Sequence, residues 1–78
     1  MSRLTNKEWI ALTEKTIEYY HTGHLRFGQS YMNALSEINM YLYNEVTATE
    51  YDCFYSDDKI VKFIEFLNNP SIKPTKEV

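Results

Sequence analysis

Cysteine, glycine and proline are all scarce in this chain, and each scarcity narrows what it can be. The single cysteine, Cys53, cannot close an internal disulfide, which agrees with a reducing, cytosolic compartment. With two glycines and two prolines among residues that are 44% hydrophobic and 24% charged, disorder is expected only at the ends. No apolar run approaches the roughly 18–20 residues that cross a bilayer, and the N-terminus, MSRLTNKEW, lacks the apolar segment of a secretory signal. Lysine and arginine are missing between Arg26 and Lys59, whereas Glu37, Glu45, Glu50, Asp52, Asp57 and Asp58 all fall there. That half would repel a phosphate backbone or an anionic membrane, so direct nucleic-acid or membrane binding is disfavoured.

What is present reads as helix. Seventy-eight residues make one domain with a small core. In TNKEWIALTEKTIEYY, Thr5 and Glu8 form a capping-box pattern, and Trp9, Leu12, Thr16 and Tyr19 recur at helical spacing, with Ile10, Ile17 and Tyr20 beside them. The spacing predicts a helix from about Asn6 to Tyr20, ended by Gly23 in the left-handed conformation. A second helix starts near Leu25 or Arg26 and places Phe27, Tyr31, Leu35 and Ile38 on one face, with Met32 and Ala34 near it. Gly28 inside it costs about 1 kcal/mol relative to alanine and implies close approach of another helix.

After a break near Asn39, residues 40–47 read as a short helix or as a strand. The helix is favoured because a lone strand would have no partner. In SDDKIVKFIEFLNN, Ser56 or Asp57 caps a last helix, Asp57 and Asp58 sit at the positive end of its dipole, and Ile60, Ile64 and Leu67 form its stripe, flanked by Val61 and Phe63. Asn68, Asn69 and Pro70 stop it. The expected fold is therefore all-α: a compact single domain of three or four short helices over residues 1–69, followed by a flexible tail, 70–78.

The stretch TEYDCFYSDD concentrates polar chemistry, and four readings compete for it. A Cys53–His–Asp nucleophile is disfavoured because free cysteine is usually buried and no nucleophile motif surrounds this one. A metal site drawing on His21, His24 and Cys53 lacks paired ligand motifs, so no metal and no cofactor is expected. A structural reading has Arg26, Gln29 and Asn33 form a polar ridge on the second helix, with Arg26 or Asn33 reaching Glu50 or Asp52 to pin the loop. A functional reading makes the ridge part of a contact surface.

Seven tyrosines are many for this length, and Tyr31, Tyr41, Tyr43, Tyr51 and Tyr55 lie in the base-free half. They either roof the core or serve an interface, where a rigid ring with a polar tip is favoured. The expected partner surface comprises Tyr41, Tyr43, Glu45, Glu50, Tyr51, Asp52 and Tyr55, suited to a host protein with a basic face. Homodimerisation is the other partnership expected of exposed tyrosine, methionine and tryptophan. Against this non-enzymatic module stand a nucleic-acid binder using Arg3, Lys7, Lys15, Lys59 and Lys62, a small regulatory helical protein, and a metal- or thiol-dependent enzyme.

LRFGQSYMNALSEI followed by TEYDCFYSDDKIVKFIEFL also resembles a family of small proteins found largely in phages and prophages. Its segments are R-x-G-Q-x-x-x-N-x-L, T-x-x-D and F-Y-x-D-x-x-I. The matching positions are Arg26, Gly28, Gln29, Asn33, Leu35, Thr49, Asp52, Phe54, Tyr55, Asp57 and Ile60. The similarity spans roughly Leu25 to Leu67. Proline often takes the place of Cys53 in that family, which argues against a catalytic thiol, and proline near Asn39–Met40 supports a helix break there. The resemblance implies a phage context, host cytoplasm and no particular chemistry. By analogy with small phage proteins, it leads to the expectation of an accessory factor that inhibits a host defence or nucleic-acid-processing protein.

Overall fold

The first turn of the chain sets up the first helix as the capping box requires. In the computed structural model, which describes residues 1–77, the Glu8 amide donates to Thr5 Oγ1 (3.1 Å) and the Thr5 amide to Glu8 Oε1 (2.9 Å). Helix α1 runs Asn6–Thr22 and turns Leu12 and Thr16 fully inward. Thr16 Oγ1 is the sole buried side-chain polar atom without a hydrogen-bond partner among the described residues. At the other end the Gly23 amide closes on Tyr19 O at 2.9 Å, but Gly23 itself stays right-handed at φ −92°. The left-handed turn expected of Gly23 falls instead on His24, at φ 54°. The helix therefore runs two residues past the expected end, and a Cβ at Gly23 would still stand 2.9 Å from the Tyr19 carbonyl.

Helix α2 (Phe27–Ile38) packs along α1. Its buried set is Gly28, Ser30, Met32, Ala34 and Leu35, which differs from the expected Phe27–Tyr31–Leu35–Ile38 face. Phe27 is displaced to the surface, where it stacks on Tyr20 with ring centroids 4.0 Å apart and planes 16° from parallel. The two helices are tied further by Lys15–Glu37 (3.7 Å) and by the Tyr19 hydroxyl donating to the Glu37 carboxylate. That hydrogen bond, then lost hydration and the charges of Glu37 and Glu18, hold the Tyr19 phenol above its ordinary pKa.

Asn39 breaks the chain direction as expected and starts the next element. Its Oδ1 accepts from the Leu42 amide (3.1 Å) and its Nδ2 donates to Glu8 Oε2 (3.2 Å), so one side chain caps α3 and anchors it to α1. The ambiguous segment is helix: α3 spans Met40–Val46 and buries Leu42 and Val46. After an irregular loop, a 3-10 turn (Asp57–Lys59) leads into α4 (Ile60–Asn68). Among the described residues the fold is four α-helices with no strand, an all-α single domain.

On α4 the buried residues are Phe63, Phe66 and Leu67, with Ile60 and Ile64 at the edge and Val61 exposed. The expected Ile60–Ile64–Leu67 stripe keeps Leu67 in the core, while Ile60 and Ile64 move to its edge because the larger rings fill the centre, Phe63 against Tyr31 (5.6 Å) and Phe66 against Tyr51 (6.1 Å).

Residues 70–77, expected as a flexible tail, touch the body of the domain at several points. Ile72 is half-buried against the core, its carbonyl accepts from Arg3, and the Glu77 amide donates to Ala48 O at 2.7 Å. An isoleucine between two prolines has too little apolar surface to advertise docking in sequence. It docks with its carbonyl accepting from Arg3 and its amide donating to Asn69 O at 3.1 Å, while the end of α3 supplies acceptors for Lys76 and Glu77 farther along. Val78, the last residue of the expected tail, lies outside the described residues.

Candidate functional site

The loop Thr47–Ser56 has no regular structure, yet it is closely held. Asp52 organises it: Oδ2 accepts from the Ala48 amide (2.8 Å) and Oδ1 from the Phe54 amide (2.9 Å). Thr49 adds a buried bond from its hydroxyl to Val46 O (2.7 Å) and accepts from the Tyr51 amide (3.2 Å). Short polar side chains that bond nearby backbone replace secondary structure here, which is why Thr and Asp stand at these positions.

The loop docks on the N-terminus of α2. Arg26 donates to Phe54 O at 2.9 Å, and Asp57 Oδ1 accepts from the Gly28 amide at 2.9 Å. The anticipated pinning thus exists, but with different partners. Arg26 takes a backbone carbonyl, while Glu50 pairs with Lys62 and each Asp52 oxygen accepts a loop amide. Gln29 turns back to the Arg26 amide (3.4 Å), and the Asn33 amide group has no hydrogen-bond partner among the described residues. Asp57 caps α2 in addition to opening the turn before α4. Gly28 is explained by the same contact: a Cβ there would lie 2.0 Å from the Cys53 carbonyl oxygen. The close approach expected of another helix is made by the loop.

Cys53 is fully buried in that seam, its Sγ 3.5 Å from Gly28 O. Burial, reinforced by the charges of Asp52 and Asp57, pushes its thiol up to about 12, the direction opposite to an activated nucleophile. His21 and His24 are exposed, on the last turn of α1 and just beyond it. Among the described residues no cluster of three His, Cys, Asp or Glu side chains is placed to hold a metal ion.

The seven expected surface residues separate into groups. Glu45 pairs with Arg3 (3.1 Å) at the end of α4, and Glu50 pairs with Lys62 (3.3 Å), whose ammonium also stands 5.9 Å from the Tyr51 ring. The base-free half of the sequence therefore borrows cations from both ends of the chain. Tyr51 and Tyr43 are half-buried against the core, as is Tyr31. Tyr43, Asp52 and Tyr55 come together with Met32, Thr47 and Phe54 around a hollow of about 120 Å³. Tyr55 is 84% exposed and Tyr41 is 75% exposed.

A second hollow of about 220 Å³ lies on the other side of Tyr55 and Asp52, walled by Ala48, Thr49, Ser56, Lys59 and Glu77. Sequence reading named Lys59 only as a candidate phosphate contact and missed Glu77, and Lys76, which donates to Asn44 O and Thr47 O beside it. The spaced lysines of IKPTKE were the available signal, since a cation near a helix C-terminus is favoured. A larger apolar hollow, about 430 Å³, sits between α4 and the tail, lined by Ile60, Val61, Ile64 and Ile72, and holds none of the expected site residues. No helix of the described residues is long and apolar enough to cross a membrane. No protein-family model, curated protein or solved structure matches the chain.

Proposed function

We propose that this chain is a non-enzymatic protein-interaction module, a phage accessory protein that binds and inhibits a host defence or nucleic-acid-processing protein through the tyrosine-bearing surface around Asp52. The observation that carries this reading is Tyr55. Arg26, Gly28, Thr49, Asp52, Phe54 and Asp57, which carry the resemblance to phage proteins, all have a structural task in the clasp between loop and α2. Tyr55 stands in the same motif, is 84% exposed and meets the fold by an edge contact with Phe54 at 4.9 Å. A large rigid ring held between two hollows is suited to be an anchor in a partner's pocket.

In this reading the contact surface is smaller than the one expected from sequence. Glu45 and Glu50 are engaged by Arg3 and Lys62, which leaves Asp52, Tyr43 and Tyr55 at its centre and Tyr41 as a separate projection. The partner's complementary face would be basic, and the site of action the host cytoplasm. The test is affinity capture from host lysate with tagged wild type and Tyr55→Ala, identified by mass spectrometry. One stoichiometric protein captured by wild type and lost from a variant of unchanged melting temperature is expected. Capture that survives Tyr55→Ala and Tyr41→Ala together would overturn the reading. Asp52→Ala is unsuited to this purpose because it removes two loop hydrogen bonds at once.

A further inference from the structure

The C-terminal end of α3 is a seat for an ammonium group, and the chain's own tail fills it. Thr47 leaves the helix in an extended conformation and Ala48 takes φ 63°, so the carbonyls at this end have no helical partner. Lys76 Nζ donates to Asn44 O and Thr47 O, and the next amide, Glu77, donates to Ala48 O at 2.7 Å. The negative end of the helix dipole and the Asp52 carboxylate next to Ala48 favour a cation here. A left-handed alanine is unfavourable relative to glycine, so the turn that aims these carbonyls is maintained against local preference.

Among the described residues the tail is hydrogen-bonded to the body at its start, where Arg3 reaches Pro70 O and Asn69 holds Ser71, at Ile72, and at Lys76–Glu77. Ile72 is anchored by core contact and by Arg3, whereas Lys73, Pro74 and Thr75 make no hydrogen bond to the body among the described residues. The Lys76–Glu77 end can therefore lift while Ile72 stays, with Pro74 limiting the freedom that the lifted segment regains.

We infer that the carbonyl seat of Asn44, Thr47 and Ala48 is a docking site for an extended, lysine-bearing segment of the partner, and that Lys76 occupies it as an internal competitor. The recognised element is a lysine followed by a residue with a free amide, which excludes proline, because the two donors come from consecutive residues. The side chain of that second residue would enter the hollow between Tyr55 and Lys59, where Glu77 now lies. The inference rests on the proposed interaction surface and specifies the partner chemistry at it.

The test uses the full chain and a fluorescein-labelled peptide of sequence SIKPTKE, followed by fluorescence polarisation. Replacing Lys76→Ala in the protein frees the seat, and the peptide is expected to bind this variant about tenfold more tightly than wild type, as for a site occupied about nine-tenths of the time. A peptide carrying alanine at its second lysine, or proline after it, should lose that binding. Amide shifts in the labelled variant should centre on Asn44 to Tyr55. Equal affinity for wild type and variant, or indifference to the peptide's second lysine, would overturn the inference. So would a wild-type dimer that Lys76→Ala dissociates, since the seat would then belong to a second copy's tail. Tyrosine-dependent capture without peptide binding removes the seat and leaves the interaction reading; peptide binding without any captured protein removes both, since the seat would then serve only the chain's own tail.

Discussion

Position 28 sets how closely the loop can lie on α2. With a Cβ the nearest contact would be 2.0 Å, against a backbone carbonyl that has no rotamer to change. Gly28→Ala must therefore lift the loop, strain the Asp57 cap and expose Cys53. A loss of about 2–3 kcal/mol is expected, despite the better helix propensity of alanine, and urea unfolding at constant slope checks it. Cys53, the residue sealed beneath that seam, gives the fold an alkaline limit. Its thiol is pushed from an ordinary value of 9.0 up to about 12 in the folded chain, so the folded state keeps a proton that the unfolded state releases. Its contribution is fully present below about pH 9 and declines as pH rises toward 12, amounting to about 1 kcal/mol lost by pH 10. Urea midpoints measured from pH 7 to 10 should fall more steeply for wild type than for Cys53→Ala. Parallel curves would show that other groups set the alkaline limit.

Among elements, the loop and α2 depend on each other, and Asp57 is the joint. Its carboxylate supplies the acceptor that Arg26, at the N-cap of α2, does not provide locally. Asp57→Ala is expected to cost about 1–2 kcal/mol, as for loss of a charged helix cap. Asp58→Ala, at an exposed neighbour whose side chain has no hydrogen-bond partner among the described residues, should stay within about 0.5 kcal/mol by thermal melting. A larger effect at Asp58 would reverse the assignment. The contrast shows what sequence can carry. The Thr5–Glu8 box, the Asn39 break and helices α1, α2 and α4 were legible because their signals are local: a cap, a spacing, an interruption; α3 stayed open between helix and strand and was favoured as helix only because a lone strand has no partner. Asp57 looked like a cap for the helix after it, and it serves one almost thirty residues earlier. Arg26 was placed correctly against the loop but on the wrong acceptor, because a carboxylate already satisfied by its own backbone cannot be recognised from composition. The same limit applied to the tyrosines. Tyr43 and Tyr51 pack inward and Tyr41 and Tyr55 outward, a division made by tertiary contacts rather than by residue type.

For the whole molecule, the ends of the chain close the structure, and Arg3 is where they meet. Its backbone amide donates to Leu67 O at 2.8 Å, its Nε to Phe66 O at 2.8 Å, its Nη1 to Glu45 Oε1 at 3.1 Å, and its Nη2 to Ile72 O. The guanidinium also lies 4.1 Å from the centroid of the Phe66 ring. One side chain thus links the N-terminus, α3, the end of α4 and the tail, and it neutralises a carboxylate in the half of the sequence that has no base of its own. A planar fork meets these acceptors together in a way that a lysine point charge cannot. Arg3→Ala is expected to destabilise the fold by about 2–4 kcal/mol, since it leaves several partly buried acceptors unpaired. Arg3→Lys should recover less than half of that. Glu45→Ala should cost less than Arg3→Ala, because the guanidinium keeps its carbonyl partners and the Phe66 ring. Thermal melts of the three variants decide the point. If Glu45→Ala and Arg3→Ala proved equal, the ion pair alone would be the link. The tail would then be held independently of the N-terminus, and the release of Lys76 would have no connection to the packing around Arg3.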